Sequence, residues 1–498
     1  MGLFNKMKNF FSGFKYKLDR EILREYLQHT IDFAVENKLP FCDEFYIADS
    51  LDAKDRLHVT ILNYDVPGDA VYEIEKSFEG IVIFANHEKC YDPENDHYFT
   101  NKYVKSPTQM ERDAVCRGQY HGWLKEKVGS HIIRRNNIHH CEQGGIIGRM
   151  GGVFSIIEDN HIHHINNMME LGGAEIAGIK MHAAIDVIMR RNHIHHCTMG
   201  IWCDWEAQGT RLSQNLLHDN QRPAFAKQLK GGMMCQDIFV EVGHGPTLID
   251  NNILLSDASL RFATQGVAMV HNLICGALTC VGEGTSWRYT PYHMPHRTEV
   301  MGFMTILHGD DRFYNNIFVQ KWPSEDFITM HDSDDGFDSE NRKVGTWMFD
   351  EYPTYDEWIS QFDFTKPADM KKLESVHFDH LPVWSEGNVY LNGAKAWKHE
   401  KNGFVSSENV KVELTEKDGK YFLDTNIYEI LKDFSGRMIN TEVLGKAFEP
   451  EEFFENPDGT PITFDTDYFG GHRGAKVIPG PFAEKEDVGK NVNICTAF

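Results

Sequence analysis

The sequence predicts an all-β chain built on a right-handed parallel β-helix, with an associated β-sandwich-like region towards its end. Two observations carry that expectation. The first is a recurring segment. Arg134-Arg135-Asn136-Asn137-Ile138-His139-His140-Cys141 returns as Glu158-Asp159-Asn160-His161-Ile162-His163-His164-Ile165 and as Arg190-Arg191-Asn192-His193-Ile194-His195-His196-Cys197. Weaker copies centre on Asn215, Asn251 and Asn315, with a last echo at Asn388. The minimal period is about 23 residues, with insertions, which is the length of one coil of a solenoid. The second is a Gly-Ile step ahead of the copies at Asn160, Asn192 and Asn215, at Gly145-Ile146, Gly178-Ile179 and Gly200-Ile201. Between these landmarks lie short β-branched runs and no helical stripe, which excludes helical repeats. Asn at a fixed corner fits, because it tolerates left-handed backbone and bonds to stacked copies of itself.

The other elements follow in chain order. Residues 1–125 read as a diverged or truncated N-terminal region. Within it, Leu18, Ile22, Leu23, Tyr26, Leu27, Ile31 and Ala34 fall at helical spacing and stop before Pro40. That amphipathic stripe is expected to cap the exposed end coil or to sit in a homo-oligomer interface. Residues 57–125 hold strand-like pieces without the repeat. Residues 126–397 form the β-helix, interrupted by an acidic, aromatic insertion at about 323–385. Residues 398–498 read as the β-sandwich-like region. Val410, Val412 and Leu414 alternate with Lys411 and Glu413, and Asp418-Gly419 turns the chain into Tyr421 and Leu423.

Composition narrows the function. The 498 residues are 41% apolar and 25% charged, so the chain can bury a large core. The formal net charge of −24 disfavours nucleic acid and anionic membranes as partners. No apolar run is long enough to span a bilayer. No secretory signal is recognisable at the start, and the ten cysteines form no CxxC pair, which together suit a cytoplasmic setting. No cofactor is implied. The aligned His140, His164 and His196 invite a metal reading. Stacked corner residues repeat because coils repeat, however, and their spacing is too wide for one shared ion, so none is expected. Cys141 and Cys197 lie two coils apart, beyond disulfide reach.

Aligning the coils on their Gly-Ile steps sets Gly200-Ile201-Trp202-Cys203-Asp204 over Asp237-Ile238-Phe239-Val240-Glu241. Alternation turns Ile201 and Cys203 inward, and Trp202, Asp204, Phe239 and Glu241 outward. The column continues backwards through His182 and Arg149. Two carboxylates on adjacent coils, about 4.8 Å apart in backbone, match the spacing of a retaining glycosidase pair, about 5–5.5 Å. Trp202 and Phe239 offer faces on which a sugar ring stacks, and parity points Trp205 inward. Glu175 lies in the glycine-rich run Gly172-Gly173-Ala174-Glu175, where a bulge would lift it from the wall.

The runs Gly172–Gly209, Phe239–Pro246 and Asp310–Asn316 resemble glycoside hydrolase family 120, the β-xylosidase family. The likeness covers about residues 130–322 and resumes near Gly387 and over Phe454–Tyr468. It implies a retaining hydrolase acting on short β-linked oligosaccharides, with Asp204 as nucleophile and Glu241 as general acid/base. Glu175, Trp202, His182, Phe239 and His244 would contact substrate. Gly243 stands where that family's motif carries Asn, which implies one sugar contact fewer. Other β-helix chemistries remain open on fold grounds alone: a polysaccharide lyase, an inverting hydrolase, or a non-catalytic carbohydrate-binding protein.

Overall fold

The computed structural model describes residues 45–51, 57–64, 81–86, 107–171, 176–223, 234–280, 289–321, 344–367, 369–483 and 492–496. The helix expected over Leu18–Ala34 lies outside them.

Three parallel sheets wrap one apolar interior. The first runs through Gly144–Gly148, Ala177–His182, Ile201–Asp204, Ile238–Glu241, Ala258–Ala263 and Ala277–Cys280. The second starts at Ile132–Arg134 and ends at Val383–Glu386; the third starts at Asn137–His139 and ends at Phe404–Ser406. From Ile132 to Cys280 each coil contributes one strand per sheet; beyond it the described strands extend the second and third sheets. The inward side chains form columns, such as Ile146, Ile179, Ile201, Ile238, Leu260 and Leu278, all within one buried cluster. The glycine of the Gly-Ile step has a steric cause: a Cβ on Gly145 would stand 2.6 Å from the Gly178 carbonyl oxygen.

The corner asparagines form a ladder. Asn136, Asn160, Asn192, Asn215, Asn252, Asn272 and Asn316 each pass an Nδ2–H to the Oδ1 of the next, at 2.8–3.1 Å, and the ladder ends at Asn388. Two sequence expectations change here. The left-handed residue is the one before the ladder Asn: Arg135, Asp159, Arg191, Gln214, Asn251, His271 and Asn315 all have φ of 54–61°. The ladder members in the later coils are therefore Asn252 and Asn316 rather than Asn251 and Asn315, and Asn272 joins them. The ladder Asn is selected for its amide, which satisfies buried backbone groups on the neighbouring coil.

The strand-like pieces before the repeat extend the first sheet. Ile81–Asn86 pairs in parallel with Gly144–Gly148, Leu57–Tyr64 pairs in parallel with Ile81–Asn86, and Phe45–Leu51 closes the edge antiparallel. A helix, Pro107–His121, follows where strand-like pieces were expected. It begins at a proline, which suits a first helical position. Its Ala114 and Val115 pack with Trp123, Trp205 and Val242 outside the coil interior. Trp205 is thus not inward: its φ of 30° breaks strand alternation at the corner.

The insertion closes the far end of the interior, where Val344, Phe349 and Tyr352 join the core with Trp397. After it, Val412–Lys417 and Lys420–Thr425 form the expected hairpin across Asp418 (φ 55°) and Gly419 (φ 70°), and Val492–Thr496 adds a third strand. Tyr421 and Leu423 pack with Leu216, Leu273, Ile317 and Leu391, the outward side chains of the third β-helix sheet. This three-stranded sheet packs on that outer face.

Histidines stack on that same outer face. His139, His163, His195 and His218 are parallel at 4.7–5.1 Å between ring centres, and His140, His164 and His196 at 4.9–5.1 Å. Burial, then neighbouring imidazoles, push His161 down to about 4 and His163 down to about 2 from the ordinary 6.5. The folded state refuses protons that the unfolded chain accepts, so stability is complete above pH 6.5 and falls as pH drops from 6.5 towards 4. At one unit below 6.5, each histidine kept neutral costs about 1.4 kcal/mol. Urea midpoints measured from pH 7.5 to 4.5 should decline accordingly, with a shallower slope for His163→Gln. A variant slope equal to wild type would remove His163 from the account.

Candidate functional site

The site grows from the outer face of the first sheet. Trp202 pairs in register with Lys180 on the preceding coil and Phe239 on the following one; Cys203 pairs with Val240 and Asp204 with His182. Asp204 and Glu241 are therefore equivalent positions on neighbouring coils, as the Gly-Ile alignment requires.

Asp204 is 6% exposed and engaged by two bases. Lys180 Nζ donates to its Oδ2 at 2.6 Å, and His182 Nε2 lies 3.0 Å from the same oxygen. Burial opposes its ionisation, but the charges and hydrogen bonds of His182 and Lys180 outweigh that cost and hold the carboxyl far below its usual range. Glu241 is partly exposed, and its Oε2 accepts from Trp202 Nε1 at 3.1 Å. Trp202 links the two halves: the Lys180 ammonium sits 3.7 Å above its ring, and Phe239 stacks on it at 5.3 Å. The Arg261 guanidinium lies 5.4 Å from the Phe239 ring centre.

Of the residues expected from sequence, Asp204, Glu241, His182, Trp202 and Phe239 share this face. Trp202 and Phe239 project outward yet are only 3% and 1% exposed, so they form a packed floor beneath the carboxylates. Glu175 lies outside the described residues. His244 is turned elsewhere: 2% exposed, it donates from Nε2 to the Thr290 carbonyl at 3.1 Å and sets its ring edge-on to Tyr292. It anchors the hairpin Thr290–His293/Val300–Met304 to the coil after Glu241. Lys180 was missed. A lysine in an alternating strand reads as solvent-facing, whereas this one is fully buried; its only signal was its place one coil before Trp202.

Residues 94–270 match the family described as right handed beta helix region. The fold is a right-handed parallel β-helix. A solved structure, the complex of XylC with xylose, is similar to this chain with a TM-score of 0.69 and 35% sequence identity over 86% of this chain. The match takes in 62% of the XylC chain, so this chain spans about three-fifths of XylC's length. No curated protein matches the chain.

Proposed function

We propose that the chain is a retaining glycoside hydrolase, similar to family 120, that releases xylose or a related sugar from short β-linked oligosaccharides. The likeness to a protein whose complex with xylose is known supports the sugar class. The observation that carries the chemistry is a pair of carboxylates at equivalent positions on adjacent coils, one of them held by two basic side chains. Asp204 is held ionised by Lys180 and His182, which suits a nucleophile and disqualifies it as a proton donor. Glu241, at the equivalent position on the next coil, is partly exposed and accepts from an indole N–H, a setting that suits the acid/base role.

In the first step an Asp204 oxygen bonds to the anomeric carbon as the glycosidic C–O bond breaks, and Glu241 gives its proton to the departing oxygen. In the second, Glu241 takes a proton from water, whose oxygen bonds to the anomeric carbon and releases Asp204. Placement on adjacent coils supports retention over inversion, which needs about 6.5–9.5 Å between carboxyls to seat a water. A lyase needs a free base, and Lys180 is buried against Asp204.

The test is the first anomer formed from an aryl β-xyloside, followed by proton NMR before mutarotation. β-Xylose appearing first is expected. α-Xylose first would mean inversion, and no sugar release from any aryl glycoside alongside cleavage of uronate polymers would mean a lyase.

A further inference from the structure

We propose that Asp186, Glu452 and His296 form a binding site for a divalent transition-metal cation, Mn2+ or Zn2+. The site would fasten the C-terminal region and the 290–304 hairpin to a coil corner of the β-helix.

Three separate segments bring the donors together. Asp186 sits at the corner after Ala177–His182, His296 at the tip of the hairpin, and Glu452 in the C-terminal region. One ligand atom from each lies within 4.8 Å of the others. His296 Nδ1 is 2.9 Å from Asp186 Oδ1 and 3.9 Å from Glu452 Oε1. Two ligands held at about 2.1 Å on a tetrahedral centre stand about 3.4 Å apart, which falls between those distances.

The site has unmet bonding capacity. Asp186 is 4% exposed and Glu452 1% exposed, yet among the described residues Asp186 Oδ2 and Glu452 Oε1 accept no hydrogen bond. A buried carboxylate oxygen without a donor is costly. A proton on His296 Nδ1 would serve Asp186 Oδ1 and leave Glu452 Oε1 without a donor among the described residues. Lys125 reaches to 3.6 Å from Asp186 Oδ2, but on a side chain 43% exposed. Asp186 Oδ1 and Glu452 Oε1 also converge over Gly209, where any Cβ would collide with both. Glycine at this position leaves room for the two oxygens to approach.

The outer contacts match those of a metal centre. Glu455 Oε1 lies 3.3 Å from His296 Nε2, so it can accept the Nε2 proton and leave the Nδ1 lone pair facing the two carboxylates. Carboxylate–histidine–metal relays have this arrangement. Gln208 Nε2 donates to Glu452 Oε2 at 2.7 Å and orients the free Oε1. Two carboxylates balance a divalent charge. The imidazole selects against calcium, which takes six to eight oxygens, and leaves room for water on a zinc- or manganese-sized ion.

The test uses the full chain, stripped with chelator and dialysed, then titrated with MnCl2 and ZnCl2 while bound metal and melting temperature are measured. Wild type should bind about one ion per chain and gain roughly 5 °C, reversed by chelator. Glu452→Gln and His296→Ala should each bind at least roughly 100-fold more weakly and melt independently of metal. The wild-type titration depends on no variant folding. No binding at about 1 mM of either cation would overturn the proposal. So would undiminished binding in Glu452→Gln, which would place the ion elsewhere, for instance on the His161, His193 and His195 group.

Discussion

Replacing Asp204 with Asn is expected to lower kcat on an activated aryl β-xyloside by on the order of 10^5-fold while leaving the fold intact. Asn keeps the volume of the side chain and an acceptor oxygen for Lys180, but its amide cannot form a glycosyl ester. The carboxylate's two neighbours make the choice of substitution matter. Lys180 is fully buried and donates to Asp204 Oδ2 at 2.6 Å. Asp204→Ala would leave that ammonium without an acceptor and cost about 3–5 kcal/mol of stability besides the activity. Asp204→Asn limits that confusion, and a melting curve run beside the kinetics checks it. Leaving-group quality should not rescue the variant, because no nucleophile remains for either a good or a poor one. A slow fluorinated glycoside should label wild type by one sugar mass and leave Asp204→Asn unlabelled. Turnover within tenfold of wild type would remove Asp204 from the nucleophile role.

The sequence reveals the coil and the column, and it conceals what depends on closure between distant segments. The Gly-Ile steps are legible because coils approach too closely for a Cβ, so the same residue recurs at each level. From those steps the equivalence of His182, Asp204 and Glu241 follows by counting. The Asn register slips by one at Asn252 and Asn316, because each is preceded by a second Asn that takes the left-handed turn. Asn272 escapes because His271 fills that turn position. Trp205 escapes because alternation ends where φ turns positive. Lys180 escapes because charge pattern alone does not distinguish a lysine in water from one neutralised by a buried carboxylate. The grouping of Asp186, His296 and Glu452 has no local signature at all: three segments far apart in sequence meet only when the hairpin and the C-terminal region settle on one corner. The leading strands, Phe45–Leu51 to Ile81–Asn86, lie outside the recognisable repeat, yet they pair onto the first sheet.

Glu241 should show a different kinetic signature from Asp204. If it protonates the leaving oxygen, Glu241→Ala will lose roughly 10^2–10^4-fold on substrates with basic leaving groups such as xylobiose. The loss will shrink towards nothing for leaving groups that depart without a proton. With such groups glycosylation stays fast, but no base remains to activate water, so the glycosyl-Asp204 ester accumulates. A pre-steady-state burst of released phenol should therefore precede a slow steady state. Azide needs no deprotonation, so it should restore turnover and leave as a β-xylosyl azide, with retained configuration. Trp202 supplies the geometric basis for the role. Its Nε1–H donates to Glu241 Oε2 at 3.1 Å, which fixes that carboxyl beside the indole that also lies under Lys180. The burst and the azide product together separate a lost acid/base from a misfolded site, since a misfolded site would show neither. An equal loss across leaving groups, with no burst and no azide adduct, would assign Glu241 to structure and reopen the search for the proton donor along the same column.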